Sequence, residues 1–433
     1  MSFAANPGSV RDLARALAEG SLTSEALVRR CLDRIGAVDH AVKAWINVLA
    51  DEAIATAKLL DGEMRTTGRR SLLHGIPVAV KDVMDVAGLP TRANSRSRAD
   101  VAPATLDATV VAHLRASGAI ILGKVHTTEY AYFESVPPTR NPHDLTRTPG
   151  GSSAGSSAAV AAGMVPLALG TQTAGSVNRP AAYTGVGAFK PSTRSISSTG
   201  IVPLAPSYDT VGAFGATPED AVLLAAEFAP EQLRLHDPDP TPLQRITVLE
   251  DPLVTRKSAA STVRSLGDLS DRLGQAGFPV ETAASPVGLD GIIADHRIVL
   301  LFEMSRLHGA IPRDQLAPKL AADIEQGLTL SADSYHAALH RLSVARRTFW
   351  SLFGRETALL MPGAPDIAPA DGTTGDPAFV IPATALGGPV ASVRAGTDLQ
   401  TGMPIGAMLF AAPGADRSLA GLVLSDRVRS VGL

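Results

Sequence analysis

The chain has 433 residues, 45% of them hydrophobic, with 39 Lys and Arg against 42 Asp and Glu. Near-balance of charge argues against a broad polyanion-binding surface, so nucleic acid is not an expected partner, and the length is ample to bury a core. Cys31 is the only cysteine, which excludes an intrachain disulfide and a cysteine-based zinc site.

At the start of the chain Asp12 and Glu19 fall where a secretory leader would need hydrophobes, so a reducing, cytoplasmic setting is expected. Ser9, then Val10, Leu13, Ala14 and Leu17, then Gly20, predict a capped amphipathic helix with a glycine stop. A second helix is predicted from Ser24 to about Ile35. Residues 76–80, ending at Lys81, predict a buried strand, as do residues 120–122 after the helical pattern Val110, Val111 and Leu114. The most apolar stretch, residues 158–169, predicts a buried helix; Gly163 and Pro166 leave it too short and too broken to cross a bilayer, which takes ~20 apolar residues. Residues 246–249, a helix over about 259–276 with Val263, Leu266, Leu269 and Leu273 facing inward, and residues 279–282 predict a strand–helix–strand unit. Such units imply a parallel or mixed sheet with helices on its faces. Strand and turn signals resume at residues 358–362 and run through residues 404–406. No internal repeat, long charge run or domain-length linker interrupts the chain, so one domain over residues 1–433 is expected.

Three segments carry chemistry. Residues 76–82 place Lys81 directly after an apolar strand, and burial is what a lysine needs to lose its proton near neutral pH and act as a base. The run Gly150-Gly151-Ser152-Ser153-Ala154-Gly155-Ser156 is stripped of bulk, so chain can pass close to chain while serine hydroxyls face a cleft. The third segment is Thr171-Gln172-Thr173-Ala174-Gly175-Ser176. A phosphate-binding P-loop fails because no Gly-Lys-Ser/Thr follows the glycines. Gly151 to Gly155 also fit the Gly-x-Ser-x-Gly elbow that would make Ser153 the nucleophile, but an elbow needs a strand just before it and residues 146–150 do not predict one. The ten histidines form no metal pattern: His336 and His340 lack the glutamate of a zinc helix. They are read as helix-surface residues, and Trp45 and Trp350 as packing residues. Neither a metal nor a cofactor is expected.

Together, Lys81, Ser152 and Ser176 resemble the catalytic triad of the amidase signature family. The resemblance runs from about residue 9 to residue 425 and includes Leu73-His74-Gly75-Ile76-Pro77-Val78-Ala79-Val80-Lys81-Asp82, residues 118–124, Asn141-Pro142, Thr148-Pro149 and Tyr208-Asp209-Thr210-Val211-Gly212. It implies the α/β amidase signature fold, a large mixed central β-sheet covered by helices on both faces. The core signature region would span about 70–215, with a variable, substrate-shaping region at about 230–345. It also implies metal-free hydrolysis of a carboxamide by way of an acyl-enzyme. Ser176 would be the nucleophile, Lys81 the base, and Ser152, preceded by a cis peptide bond, the proton relay. The backbone N–H groups of Thr173, Ala174, Gly175 and Ser176 would form the oxyanion hole, with Ser153 and Thr171 as supporting hydrogen-bonding residues. Ala154 and Ala174 depart from the family pattern, standing where glycine is common. If position 174 needed positive φ, its methyl would cost on the order of 1 kcal/mol.

Arg179 follows Ser176 within the run Arg179-Pro180-Ala181-Ala182-Tyr183, which is similar to the malonamidase and carboxybiuret hydrolase-like branch of the family. There the arginine binds a substrate carboxylate, a task that suits a planar guanidinium, so the resemblance implies a small amide carrying a carboxylate. Two other roles are open to Arg179: a structural pairing with a core aspartate such as Asp209, and a positive potential that helps keep Lys81 neutral. The alternative function is a subunit of an amidotransferase or of another multi-subunit complex that needs a partner. Asn178 counts against the first, since it stands where the transfer-RNA-dependent amidotransferase subunit usually has an arginine. Expected partners are a small-molecule amide, a second copy of the chain in a homodimer and, on the alternative, a small companion subunit. No membrane association is expected.

Overall fold

A computed structural model describes residues 2–133, 135–239, 241 and 243–432. Eleven strands form one sheet: β1 (Trp45–Val48), β2 (Pro77–Lys81), β3 (Ile120–Val125), β4 (Leu167–Gln172), β5 (Gly187–Lys190), β6 (Thr210–Gly215), β7 (Arg245–Glu250), β8 (Val280–Ala284), β9 (Thr357–Pro362), β10 (Val390–Thr397) and β11 (Pro404–Phe410). Their order is β1-β3-β2-β4-β6-β5-β10-β11-β9-β7-β8. The β3-β2-β4 and β9-β7-β8 groups are parallel, and the remaining neighbours pair antiparallel. Every residue of β2, β3, β4, β6, β9 and β11 is buried. Successive side chains of a strand point to opposite faces, so both faces of this sheet are covered. This is the mixed α/β architecture that the sequence predicts.

The N-terminal helix runs Val10–Ala18, capped by Ser9, whose side chain accepts from the Asp12 N–H. The second helix, Ser24–Val42, continues past the predicted end at Ile35, because Val38 and Val42 extend the buried stripe at helical spacing. Residues 245–284 form the expected parallel strand–helix–strand unit, β7, the helix Ala260–Gln275 and β8.

Two expectations need correction. Residues 158–169 are not one helix: the helix Ala154–Ala161 ends, Gly163 takes a left-handed conformation (φ 68°), and β4 begins at Leu167, just beyond Pro166. The apolar run is continuous only because both elements are buried, and Gly and Pro divide it. Val263 does not face inward but is 57% exposed. Thr262, Ser265, Leu269 and Leu273 make the buried stripe of that helix, and Val263 is turned about 100° from its neighbour Thr262.

Candidate active site

Strand register brings the chemistry together. In the parallel β2–β4 pair, Val78, Ala79 and Val80 stand beside Leu167, Ala168 and Leu169, so Lys81 comes next to Gly170 and within reach of Thr171, one residue further on. Lys81 Nζ donates to Ser152 Oγ at 2.7 Å and to Thr171 Oγ1 at 2.8 Å, with the Thr171 carbonyl at 3.4 Å. The lysine is fully buried, and among the described residues no carboxylate lies within ion-pair reach of it. Burial holds its pKa well below the ordinary lysine value, an effect the charge of Asp209 only partly offsets.

The Gly/Ser run makes the close approach that its composition predicts. The Gly151–Ser152 peptide bond is cis. Gly150 has φ 84°, and a Cβ on it would lie 2.8 Å from Pro180 Cα. A Cβ on Gly155 would lie 2.4 Å from the His126 nitrogen and 2.6 Å from the Ala44 carbonyl, so only glycine lets the start of the helix Ala154–Ala161 pass this backbone. Ser153 is buried, its Oγ donating to the Thr171 carbonyl at 3.3 Å and accepting from the Thr171 N–H at 3.4 Å. It braces Thr171, and residues 148–150 before it are not a strand, so the elbow geometry with Ser153 as nucleophile is absent.

Ser176 sits in the turn between β4 and the helix Asn178–Thr184. The structure brings Ser152 to Lys81, whereas Ser176 Oγ makes no protein hydrogen bond among the described residues; the Ser176 carbonyl accepts from the Ser153 N–H at 3.4 Å. The N–H groups of Thr173, Ala174, Gly175 and Ser176 likewise donate to no protein acceptor among the described residues. Position 174 does not have positive φ, so the Ala174 methyl carries no backbone penalty.

Four residues to which the sequence reading gave no role in this turn hold it in shape. Gln172 Oε1 accepts from the Val177 and Asn178 N–H groups at 2.8 and 3.0 Å, while its Nε2 donates to Asn178 Oδ1 and Thr384 Oγ1. Thr384 Oγ1 donates in turn to the Ala174 carbonyl at 2.6 Å. The antiparallel β4–β6 pair sets Gln172 opposite Thr210, which places Asp209 beside Thr173; its carboxylate accepts from Thr173 Oγ1 and from the Leu204 and Ala205 N–H groups. His296, from the helix Leu289–His308, reaches the Thr173 carbonyl through Nε2 at 3.0 Å and stacks on Tyr208 at 4.2 Å.

That contact corrects the reading of the histidines as surface residues. His336 and His340 are exposed on the helix Ala332–Phe353, but His74, His296 and His308 are buried. Each has Nε2 on a backbone carbonyl, of Leu60, Thr173 and Pro203 respectively. Burial pulls the pKa of His296 down to about 4.

Arg179 is not paired with Asp209. It is 1% exposed; its terminal nitrogens donate to the carbonyls of Gly375 and Gly151, each at 2.7 Å, and its Nε is buried with no partner. Burial lowers its pKa to about 10. Its Cζ lies 5.7 Å from the centroid of Phe133. Phe133 belongs to the wall of a cavity of about 250 Å³ whose apolar lining also includes Tyr132, Ile293, Leu300, Pro377 and Ile381, with His296 in the same wall. Pro377 Cβ is 3.4 Å from the position a Cβ on Gly175 would take, so the cavity borders the turn that carries Ser176. Among the described residues no cluster of His, Cys, Asp and Glu is arranged to hold a metal ion, and no helix is long and apolar enough to cross a membrane.

A family model described as Amidase matches residues 26–420. The A subunit of the glutamyl-tRNA(Gln) amidotransferase from Acidothermus cellulolyticus is 43% identical over 232 residues, but that match takes in 52% of this chain and only 45% of the relative, less than half its length. The corresponding protein from Symbiobacterium thermophilum is 33% identical over 95% of this chain and 94% of its own. A solved structure, described as a vestigial protein complex that reveals the evolutionary origins of an s-triazine catabolic enzyme, superposes with a TM-score of 0.87. It is 28% identical and covers 97% of this chain and 98% of its own.

Proposed function

This chain belongs to the amidase family, and from that premise we propose that it hydrolyses the C–N bond of a small amide through a serine acyl-enzyme. The observation that carries the reading is Lys81, fully buried without a carboxylate partner and 2.7 Å from Ser152 Oγ. A lysine so placed gives up its proton far more readily than an ordinary lysine, which is what a base requires. In the proposed reaction Ser152 gives its proton to Lys81 and takes the proton of Ser176. Ser176 Oγ then attacks the carbonyl carbon, and the charge developing on the carbonyl oxygen meets the free N–H groups of the 173–176 turn. As the C–N bond breaks, the proton returns along the same path to the nitrogen, and ammonia or an amine departs. Water, deprotonated by the same pair, attacks the ester, releasing a carboxylic acid and restoring Ser176.

Arg179 is the proposed anchor for a carboxylate close to the scissile carbonyl, as in a malonamate-like or carboxybiuret-like amide. Its buried, unpartnered Nε supports this, since a carboxylate entering there would satisfy a donor that now lacks an acceptor. A second reading, that the chain acts as one subunit of an amidotransferase or another complex with a small companion, is favoured by the named relatives. A homodimer in the cytoplasm completes the proposal.

The deciding experiment measures ammonia release from a panel of primary amides, half bearing a carboxylate, with Ser176→Ala as control. Turnover of the carboxylate-bearing half, abolished in Ser176→Ala and weakened in KM by Arg179→Gln, supports the whole reading. Turnover of neutral amides only rejects the anchor and keeps the hydrolase. Activity that appears only with a co-purified partner favours the second reading.

A further inference from the structure

We infer that the cavity beside Ser176 is a substrate-chain site with a cationic rim, built for the far end of an acyl chain that carries a second, more distant anionic group. This rests on the amidase reading and extends it, because it assigns a specificity element to Arg297 and Lys319, outside the sequence signature. Two walls of the cavity touch the nucleophile turn, His296 on the Thr173 carbonyl and Pro377 beside Gly175, and a third, Phe133, lies under Arg179 on the helix that follows. A volume of about 250 Å³ falls below the usual range of ligand sites, roughly 300 Å³ and upward, so it suits a short chain.

Arg297 and Lys319 also line this cavity. Both bind one carboxylate, that of Asp323, which is 5% exposed and also accepts from Tyr132 Oη at 2.5 Å. Two cations share one anion, so the described groups at this rim carry an excess positive charge. Their side chains are 45% and 40% exposed, open to the solvent from which a substrate arrives. Asp323 fixes both while leaving donors of each free, since a guanidinium has five N–H groups and an ammonium three. An acyl chain lying along Phe133, Ile293 and Leu300 would carry a terminal carboxylate toward this rim, whereas Arg179 serves a carboxylate next to the scissile bond.

Binding tests the rim without depending on turnover. In Ser176→Ala protein, the Kd of adipic acid monoamide and of hexanamide, which differ by the terminal carboxylate, would be measured by titration calorimetry at low and high salt. The expected result is roughly tenfold tighter binding of the monoamide, shrinking with salt. Lys319→Met with Arg297→Met should remove the preference, and Asp323→Asn, which frees both cations and keeps an acceptor for Tyr132, should enlarge it. Malonic acid monoamide should respond to Arg179→Gln and not to the rim variants. Equal binding of the two probes, no binding of either, or a preference indifferent to all three rim substitutions overturns the inference. The two proposals separate cleanly: a charge preference with no turnover by the unmodified chain keeps the rim and rejects the hydrolase, and turnover without charge preference does the reverse.

Discussion

Three oxygens converge on Lys81 Nζ, and none of them bears a formal charge. That is why this lysine and not Lys124 is suited to be the base: burial lowers the pKa of Lys124 too, but Lys124 makes an ion pair with Asp82 at 2.5 Å, which opposes that shift. The rate of amide hydrolysis should therefore rise with pH along a limb that belongs to Lys81 and lies well below the ordinary lysine pKa. Asp209 opposes the shift, since its charge favours the ammonium form. Asp209→Asn should lower the Lys81 pKa further and move the limb to lower pH, a displacement read directly from kcat/KM profiles. Loss of activity at an unmoved limb would show that Asp209 only braces Thr173. Lys81→Met should reduce kcat by at least a hundredfold at every pH. Lys81, Ser152 and Ser176 were legible because each lies inside a contiguous motif. Asp209 was visible as part of one and as a supposed partner of Arg179, while its place beside Thr173 and the roles of Gln172, Thr384 and His296 were hidden, because they arise from register across β4 and β6 and from segments distant in sequence.

At the scale of elements, glycine marks where backbone meets backbone. Gly155→Ala would drive a methyl to 2.4 Å from the His126 nitrogen, with no flexible side-chain end to yield, and should destabilise the protein by about 1–3 kcal/mol. Gly267 in the helix Ala260–Gln275 is the matched control. It is exposed and a Cβ there meets nothing within 4 Å, so Gly267→Ala should stabilise by roughly 0.4–1 kcal/mol. Urea unfolding of the two variants beside the parent protein checks both signs. The elements themselves were legible where hydrophobic period and punctuation agree, as at the Ser9 cap and the parallel unit of β7 and β8. They were not where everything is buried. Across residues 158–169 helix and strand present the same apolar run, and only Gly163 and Pro166 carried the boundary. Strand order could not be read at all, since it is set by crossovers that leave no local trace.

The molecule as a whole buries an unusual set of titratable groups, and their pKa shifts oppose one another along the pH axis. Lys190 is fully buried, donating to the carbonyls of Pro191 and Gly388, and burial pulls its pKa from 10.5 to about 7. Between those values the unfolded chain binds a proton that the folded chain does not, so folding is favoured as pH rises across that window. The span corresponds to roughly 5 kcal/mol at ~1.4 kcal/mol per unit, and Lys81 acts with the same sign. Cys31 works the other way: burial pushes its thiol from 9.0 up to about 12, so above pH 9 the unfolded state gains by ionising and folding is disfavoured. Tyr183, raised from 10.0 to about 12, adds to that loss above pH 10. On the acid side His296, depressed from 6.5 to about 4, makes a contribution that is full above pH 6.5 and fades as pH falls toward 4. Unfolding free energy measured by urea titration from pH 6 to 11 should thus climb from pH 7 to about 9, climb less steeply to about 10, and decline above about 10.5. Lys190→Met should reduce the slope between pH 7 and 9 by ~1.4 kcal/mol per unit, and Cys31→Ala should carry the climb further into the basic range. A slope unchanged in Lys190→Met would mean that this lysine keeps its proton in the fold, held by the Pro191 and Gly388 carbonyls despite burial.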